Sequence, residues 1–290
     1  MDPTVTIKDK AKIIEILFKH GVVSVKDQVE LHPYLPNLNK KNAGTVATYR
    51  VTSLGKNIIF LTVGLNLDDL YTRTLEFTRE NSAIACLPLF FLNEAGIDYL
   101  GLEYFGIGNL DECFEKQLIS SDQLSEVVTT IKQYLARSAK VSTFEAMTEE
   151  VRSIENQIAQ IDVLSPYDRD FIQTKLFPIL YKELKTSKTD DVKTYWTNGD
   201  FITRNIILGD SKTVKLIDYE FSHRTHFPDL DYFRLKTFSQ DKASYHGPEL
   251  TKFITLLGWL QHIATLYRSN LGAQFAREYT HISSNLIRAL

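Results

Sequence analysis

Cysteine is nearly absent: Cys86 and Cys113 are the two in 290 residues. Two thiols cannot build a rich disulfide framework or a four-cysteine zinc site. Both stand in apolar or amphipathic stretches, which reads them as small core residues. Long apolar runs are missing too. None approaches the roughly 20 residues that span a bilayer, and the opening MDPTVTIKDK lacks the apolar centre of a signal peptide. The expectation is a cytoplasmic chain with no membrane span. A basic excess is also lacking: 33 Lys and Arg against 36 Asp and Glu give a net charge of −3, which disfavours a nucleic-acid partner. Internal repeats, low-complexity tracts and long linkers are absent, and the length suits one large domain or two lobes at ~100–200 residues each. Oligomeric state leaves no trace in the sequence.

What is present centres on residues 195–231, YWTNGDFITRNIILGDSKTVKLIDYEFSHRTHFPDLD. Asp200 is followed five residues later by Asn205, which leads into the apolar run Ile206–Leu208. A turn connects this to a second run, Val214–Ile217, which ends in Asp218. The candidates therefore lie on a β-hairpin. Phosphoryl transfer suits such a set, because the protein's work there is positioning and charge neutralisation. One carboxylate orients the attacking hydroxyl and accepts its proton, while an amide oxygen and another carboxylate hold Mg²⁺. Mg²⁺ keeps several waters, so one Asn and one Asp suffice. Taken singly, each residue fits equally well a turn, a cap or a strand end with no metal. The combination is the specific signal.

NGDFITRN followed by LIDYEF resembles the catalytic loop and metal-binding segment of the aminoglycoside phosphotransferase and choline kinase group, and PDLD at 228–231 resembles a run that often follows in that group. The resemblance implies an α+β, bilobal protein-kinase-like fold. Residues 1–105 would be a β-rich nucleotide-binding lobe with a leading helix, and residues 106–290 a mainly helical lobe carrying catalysis and substrate. It further implies Asp200 as base, Asn205 and Asp218 on Mg²⁺, ATP or GTP as donor, and a hydroxyl of a sugar, glycan end or amino alcohol as acceptor. Arg204 would contact the transferred phosphate. Glu220, in an IDYEF context like that of the choline kinase branch, would face a cationic or polyhydroxyl acceptor.

In chain order, Thr6–Asp9 reads as a capping box for a helix carrying Ile7, Ala11, Ile14, Leu17 and Phe18, ended by Gly21 and packed on the edge of the first lobe. Val22–Leu31 reads as extended, His32–Pro36 as a break with His32 on the surface. Val46–Val51 and Ile58–Val63 read as strands about the turn Ser53–Asn57. Asp68 caps a helix bearing Glu76 and Glu80. Leu87–Leu92 and Tyr99–Phe105 read as strands around a turn at Asn93–Asp98, and backbone groups of Glu103 to Phe105 would meet the nucleobase. Ser120-x-x-Gln123 and Ser142-x-x-Glu145 read as capping boxes, and Ser165-Pro166 as a third helix start. Trp259 and His262 read as core, and His223 and His226 make a poor zinc pair.

The departures from the group lie in the first lobe. Only Gly44 stands where a glycine-bearing phosphate loop is expected. Thr62 takes the place of the third-strand Lys that touches the phosphates and pairs with a helix Glu, which leaves Glu80 without that partner. Lys41 or Lys40 offers a replacement charge, or else a solvated loop pair. Asn198 stands where a His usually precedes the catalytic Asp. A second reading is therefore a pseudokinase-like nucleotide-binding or scaffolding module without efficient transfer. A third, nucleotidyl transfer, has no residue in its favour.

Overall fold

The computed structural model describes residues 9–34, 45–186, 191–209, 213–219, 221–238, 250–268, 279, 282–283 and 285–286. Thr6, Lys40, Lys41, Gly44 and Glu220 lie outside them. The chain divides into two units: residues 1–108 with 207–220, and 109–206 with 221–290. The first division thus falls after 108 rather than 105, and the hairpin after Asn205 groups with the first unit.

The first unit opens with helix α1 (Lys10–Lys19), capped by Asp9 itself, whose side chain accepts the N–H groups of Ala11 and Lys12. A five-stranded antiparallel sheet follows, in the order β1-β2-β3-β5-β4, from β1 (Val29–Pro33), β2 (Thr45–Ser53), β3 (Lys56–Gly64), β4 (Pro88–Glu94) and β5 (Ile97–Glu103). His32 and Pro33 thus end a strand instead of breaking one, because β1 is an edge, where a missing N–H is tolerated. His32 sits 3.3 Å from the Thr52 hydroxyl. Alternation sends Ile59, Leu61, Val63, Val51 and Tyr99 to one face, and Ile13, Ile16 and Leu17 of α1 join them in one buried cluster. The helix therefore packs on the sheet's face, not on its edge. The hairpin turns are two residues long, Leu54-Gly55 and Ala95-Gly96, all with positive φ, which matches the twist of tight hairpins. The strands are correspondingly longer than the sequence suggests.

Helix α2 (Asp68–Asn81) begins after Leu67, whose N–H donates to Asp98 Oδ2 at 2.8 Å. Asp98, rather than Asp68, supplies the carboxylate at this helix start. The hairpin β9 (Ile206–Leu208) and β10 (Val214–Leu216) belongs almost wholly to this unit. The Leu208 carbonyl accepts the Ile107 N–H at 2.8 Å, and Leu216 N–H donates to Ile84 at 2.6 Å. Gly106, at φ +84°, must be glycine, since a Cβ there would lie 1.9 Å from the Leu208 carbonyl oxygen.

The second unit is mainly helical. Short strand β6 (Gly108–Asn109) leads into α3 (Leu110–Glu115), a helix the sequence pattern does not announce. Helix α4 (Ser121–Ala136) starts with the full Ser120–Gln123 capping box. Strand β7 (Lys140–Val141) precedes α5 (Phe144–Ala159), where the cap is Thr143 and not Ser142. Ser165 caps α6 (Pro166–Phe171), which runs through a π turn at Ile172–Leu176 into α7 (Phe177–Thr186). Pro178 explains the widened turn: it has no N–H to donate and its ring crowds the carbonyl four residues back. Strand β8 (Lys193–Thr197) pairs with β7 and with β11 (His223–Thr225). Helices α8 (Leu230–Phe238) and α9 (Lys252–Arg268) complete a core in which Val151, Ile158, Leu176, Leu180, Leu257 and Trp259 are buried together. His262 rests on Phe238, ring centroids 4.4 Å apart. Both cysteines are buried.

Candidate functional site

In the second unit, β8 delivers the chain into the loop that holds Asp200 and Asn205. Gly199, at φ +75°, makes the sharp turn before Asp200, and a Cβ there would lie 2.0 Å from the Phe221 carbonyl oxygen. Asn205 closes the loop. Its Nδ2 donates to the Asp200 carbonyl at 2.8 Å and to Asp200 Oδ2 at 3.0 Å. A carbonyl can only accept, so the amide must face Asp200 with its nitrogen and turn Oδ1 away. That oxygen has no hydrogen-bond partner among the described residues, so the donor set fits a hard cation.

Asp200 carries a second contact that the sequence did not announce. Arg234 of α8 approaches its Oδ1 at 3.4 Å, and both side chains are largely buried, 16% and 11% exposed. The carboxylate is thereby fixed at both oxygens, by an amide on one and a guanidinium on the other. Arg204 is the exposed residue of a 3₁₀ turn, Thr203–Asn205, whose other two residues are buried, and Asn198 is fully buried ahead of the loop.

The loop is anchored from below by Asp231, the last residue of PDLD. Asp231 is 1% exposed; its Oδ1 accepts from the Thr197 hydroxyl, which in turn accepts the Gly199 N–H at 3.1 Å. Lys132 of α4 sits 3.8 Å from the other carboxylate oxygen, donates to the Pro228 carbonyl and covers the Tyr232 ring at 4.6 Å. Burial lowers the Lys132 pKa, with Asp231 and Asp229 opposing that shift. A buried charge left alone would be costly, so the pair is an obligate one.

Asp218 lies in the first unit, two residues past the end of β10. Its φ is +64°, a left-handed conformation that a short polar side chain tolerates better than most. The next residue fixes that geometry. Tyr219 is fully buried, stacks on Phe77 of α2 with centroids 4.6 Å apart, accepts the Cys86 N–H at 2.8 Å and donates to the Leu216 carbonyl. Burial pushes its phenol well above the usual range. Asp218 is therefore held between the end of β10 and a buried ring bonded at its hydroxyl.

The sheet face opposite α1 carries Thr62, half-buried on β3. A hydroxyl there brings no charge. Its neighbours are informative: Thr48 is its cross-strand partner on β2, and Arg50, opposite Phe60, shares the face one pair along. The Arg50 Nε is buried with no hydrogen-bond partner among the described residues. Sequence reading, which looked for Lys on β3 or in the preceding loop, passed over it. Phe60 is also on this face, stacked on Tyr104 at 4.8 Å and edge-on to Tyr34 at 5.1 Å. Glu80, on α2, is 22% exposed and lies 3.9 Å from Arg79.

At the end of β5 the Glu103 N–H is taken by Leu87 at 2.8 Å and the Tyr104 N–H by Ile58 at 3.3 Å. The Phe105 N–H has no acceptor among the described residues. The Glu103 carboxylate pairs with Lys215, which also lies 5.0 Å over the Phe105 ring. No group of three or more His, Cys, Asp or Glu among the described residues is arranged to hold a metal, and no described helix is long and apolar enough to cross a membrane.

A small antiparallel sheet unit and a mainly helical unit define a protein-kinase-like fold. The chain is similar to the Plasmodium vivax ethanolamine kinase structure, at 12% identity over 96% of this chain and 87% of that one, with a TM-score of 0.54. An aminoglycoside-3'-phosphotransferase of type VIII matches at 12% identity, 84% and 96% coverage and TM-score 0.49. A choline/ethanolamine kinase family protein from Mesorhizobium loti matches at 14%, 90% and 92%, and 0.49. No family model and no curated protein matches the sequence.

Proposed function

We propose that the chain is a cytoplasmic small-molecule kinase that transfers the γ-phosphate of ATP or GTP to a hydroxyl of a sugar, a glycan end or an amino alcohol. The observation that carries this reading is the Asn205 amide, locked by two hydrogen bonds to Asp200 so that its oxygen is offered outward. Asp200 is the base: its carboxylate receives the hydroxyl proton as the oxygen attacks, and Arg234 and Asn205 hold it in place. Asn205 Oδ1 and Asp218 would hold Mg²⁺, which supplies charge neutralisation of the phosphates when bound. Arg50 provides a cation on the Thr62 face, with Arg204 a further contact for the transferred phosphate and Glu80 a charge on the adjoining helix. The Glu103 carbonyl and Phe105 N–H offer the backbone edge for a nucleobase. Similarity in fold to an ethanolamine kinase makes amino alcohols the first acceptors to try.

Thr62 favours the second reading, a nucleotide-binding or scaffolding module without efficient transfer. Thermal unfolding with ATP and GTP, with and without Mg²⁺, separates the two when followed by phosphate release onto choline, ethanolamine and sugars. A ligand bound only by the native state stabilises it by about 2.7 kcal/mol at a hundredfold excess over Kd. A Mg²⁺-dependent rise with transfer supports the kinase. A rise without transfer to any acceptor supports the nucleotide-binding module, and no rise at millimolar nucleotide removes the kinase and moves the weight to scaffolding, with protein partners to be sought.

A further inference from the structure

The second unit contains a constellation that phosphotransfer does not use. Ser142 Oγ lies 2.8 Å from His226 Nε2, and His226 Nδ1 lies 2.6 Å from Glu150 Oε2. Glu150 is itself held by the His226 backbone N–H at 2.9 Å and by the Thr225 hydroxyl. An ionised carboxylate only accepts, so Nδ1 carries the hydrogen, and in the tautomer with that single hydrogen Nε2 presents its lone pair to the serine hydroxyl. Nucleophile, base and orienting acid thus stand in sequence, the arrangement by which a weak hydroxyl is activated.

The local fold places them well. Ser142 is half-exposed, just after β7 and one residue before the Thr143 cap of the 16-residue helix α5. Its own N–H is spent on the Val192 carbonyl at 2.8 Å. Thr143 Oγ1 takes only the Ala146 N–H, at 3.1 Å, so the Glu145 N–H has no acceptor among the described residues and belongs to the positive end of the helix dipole. His226 is 7% exposed and Glu150 21%, so the base and its orienter are shielded while Ser142 itself is half-buried. A network that merely tied α5 to β11 would need only the Glu150 contacts to His226 and Thr225.

We propose that Ser142, His226 and Glu150 form an acyl-transfer centre acting on small carboxylic esters. Ser142 Oγ bonds to the acyl carbon as its proton passes to His226 Nε2. The ester C–O bond breaks and the leaving alkoxide takes that proton. Water, deprotonated by the same nitrogen, then cleaves the acyl-serine to the carboxylic acid and restores the hydroxyl. This proposal is independent of the phosphotransfer reading.

The full chain is treated with a fluorophosphonate probe, without nucleotide or Mg²⁺, and analysed by intact mass and peptide mapping, with p-nitrophenyl butyrate hydrolysis in parallel. The expected result is one adduct, on Ser142, formed with loss of fluoride. Ser142→Ala abolishes both adduct and hydrolysis, and His226→Asn slows labelling by about 10²-fold or more. Glu150→Gln slows it to a lesser degree, and circular dichroism shows which variants are folded. An unlabelled wild type beside a fully labelled serine hydrolase overturns the proposal. So does an adduct that persists in Ser142→Ala, or a folded His226→Asn or Glu150→Gln that labels as fast as wild type.

Discussion

Replacing Tyr219 by Phe tests how Asp218 is held. The hydroxyl lost is fully buried, takes the Cys86 N–H at 2.8 Å and donates to the Leu216 carbonyl. The two orphaned groups are not helpless, since the Cys86 N–H already lies 3.3 Å from that same carbonyl oxygen and keeps a long bond there. The cost should therefore fall at the low end of the ~1–3 kcal/mol for an unsatisfied buried group, about 1–2 kcal/mol. At roughly 2–4 °C per kcal/mol for a domain of this size, the melting temperature drops by about 2–8 °C. Tyr219→Ala removes in addition the ring stacked on Phe77 and leaves a cavity, at about 3–5 kcal/mol. The Phe variant keeps the ring, and with it the Asp218 backbone, so its Mg²⁺-nucleotide affinity stays within about threefold of wild type while the Ala variant loses more than tenfold, or about 1.4 kcal/mol. Urea unfolding and nucleotide titration read both. A Phe variant as stable as wild type, or one that falls as far as Ala, refutes the account of how the ring is anchored.

Asp218→Ala should abolish Mg²⁺-dependent nucleotide affinity with little loss of stability, and unchanged affinity in titration calorimetry would mean the metal ligand lies elsewhere. Arg50→Ala should weaken nucleotide binding by about tenfold if its guanidinium stands in for the missing Lys, and a double variant with Thr62→Lys should recover it; equal affinities across the set would discard that role. Burial alone would raise the Glu150 carboxyl, but hydrogen bonds from His226 and Thr225 outweigh it and hold the pKa below the ordinary 4.5. A depressed carboxylate contributes stability above its unfolded pKa and loses it as pH falls through the folded value. The acid limb of the melting curve below about pH 4.5 should therefore flatten in Glu150→Gln, and an unaltered limb counts against the pairing. Burial pushes the Cys86 thiol far up, so iodoacetamide at pH 8 should leave it unmodified until urea is added.

Local chemistry was the readable part of this sequence. The Ser120–Gln123 box, the Ser165-Pro166 start, the paired strands and the hairpin after Asn205 follow from signals a few residues long. The cap read at Ser142 falls one position away, at Thr143, in a run where two adjacent side chains are equally competent and only the folded chain selects one; at α1 the cap is Asp9, the last residue of the expected Thr6–Asp9 box. Ser142 was free for His226 because Thr143 took the cap. The strand ends were missed for a similar reason: Asn93 and Asp98 look like turn residues, yet they bond to each other at 2.6 Å across β4 and β5.

The functional contacts that escaped notice are those made across long stretches of chain. Asp231 meets Thr197 34 residues away, and Cys86 meets Tyr219 across 133. Arg234 is the most consequential of these. In sequence it is one basic residue in a helix of low amphipathicity, and nothing marks it as a partner of Asp200, 34 positions upstream. Its placement bears directly on the choice between kinase and binding module. A guanidinium 3.4 Å from a largely buried carboxylate oxygen fixes the direction of that carboxylate, which a general base needs and a merely structural turn residue does not. Arg234→Met, which keeps most of the stem and removes the charge, should therefore depress turnover far more than nucleotide affinity. Equal loss of both would assign Arg234 to holding the loop together, and with it the strongest structural argument for catalysis would go.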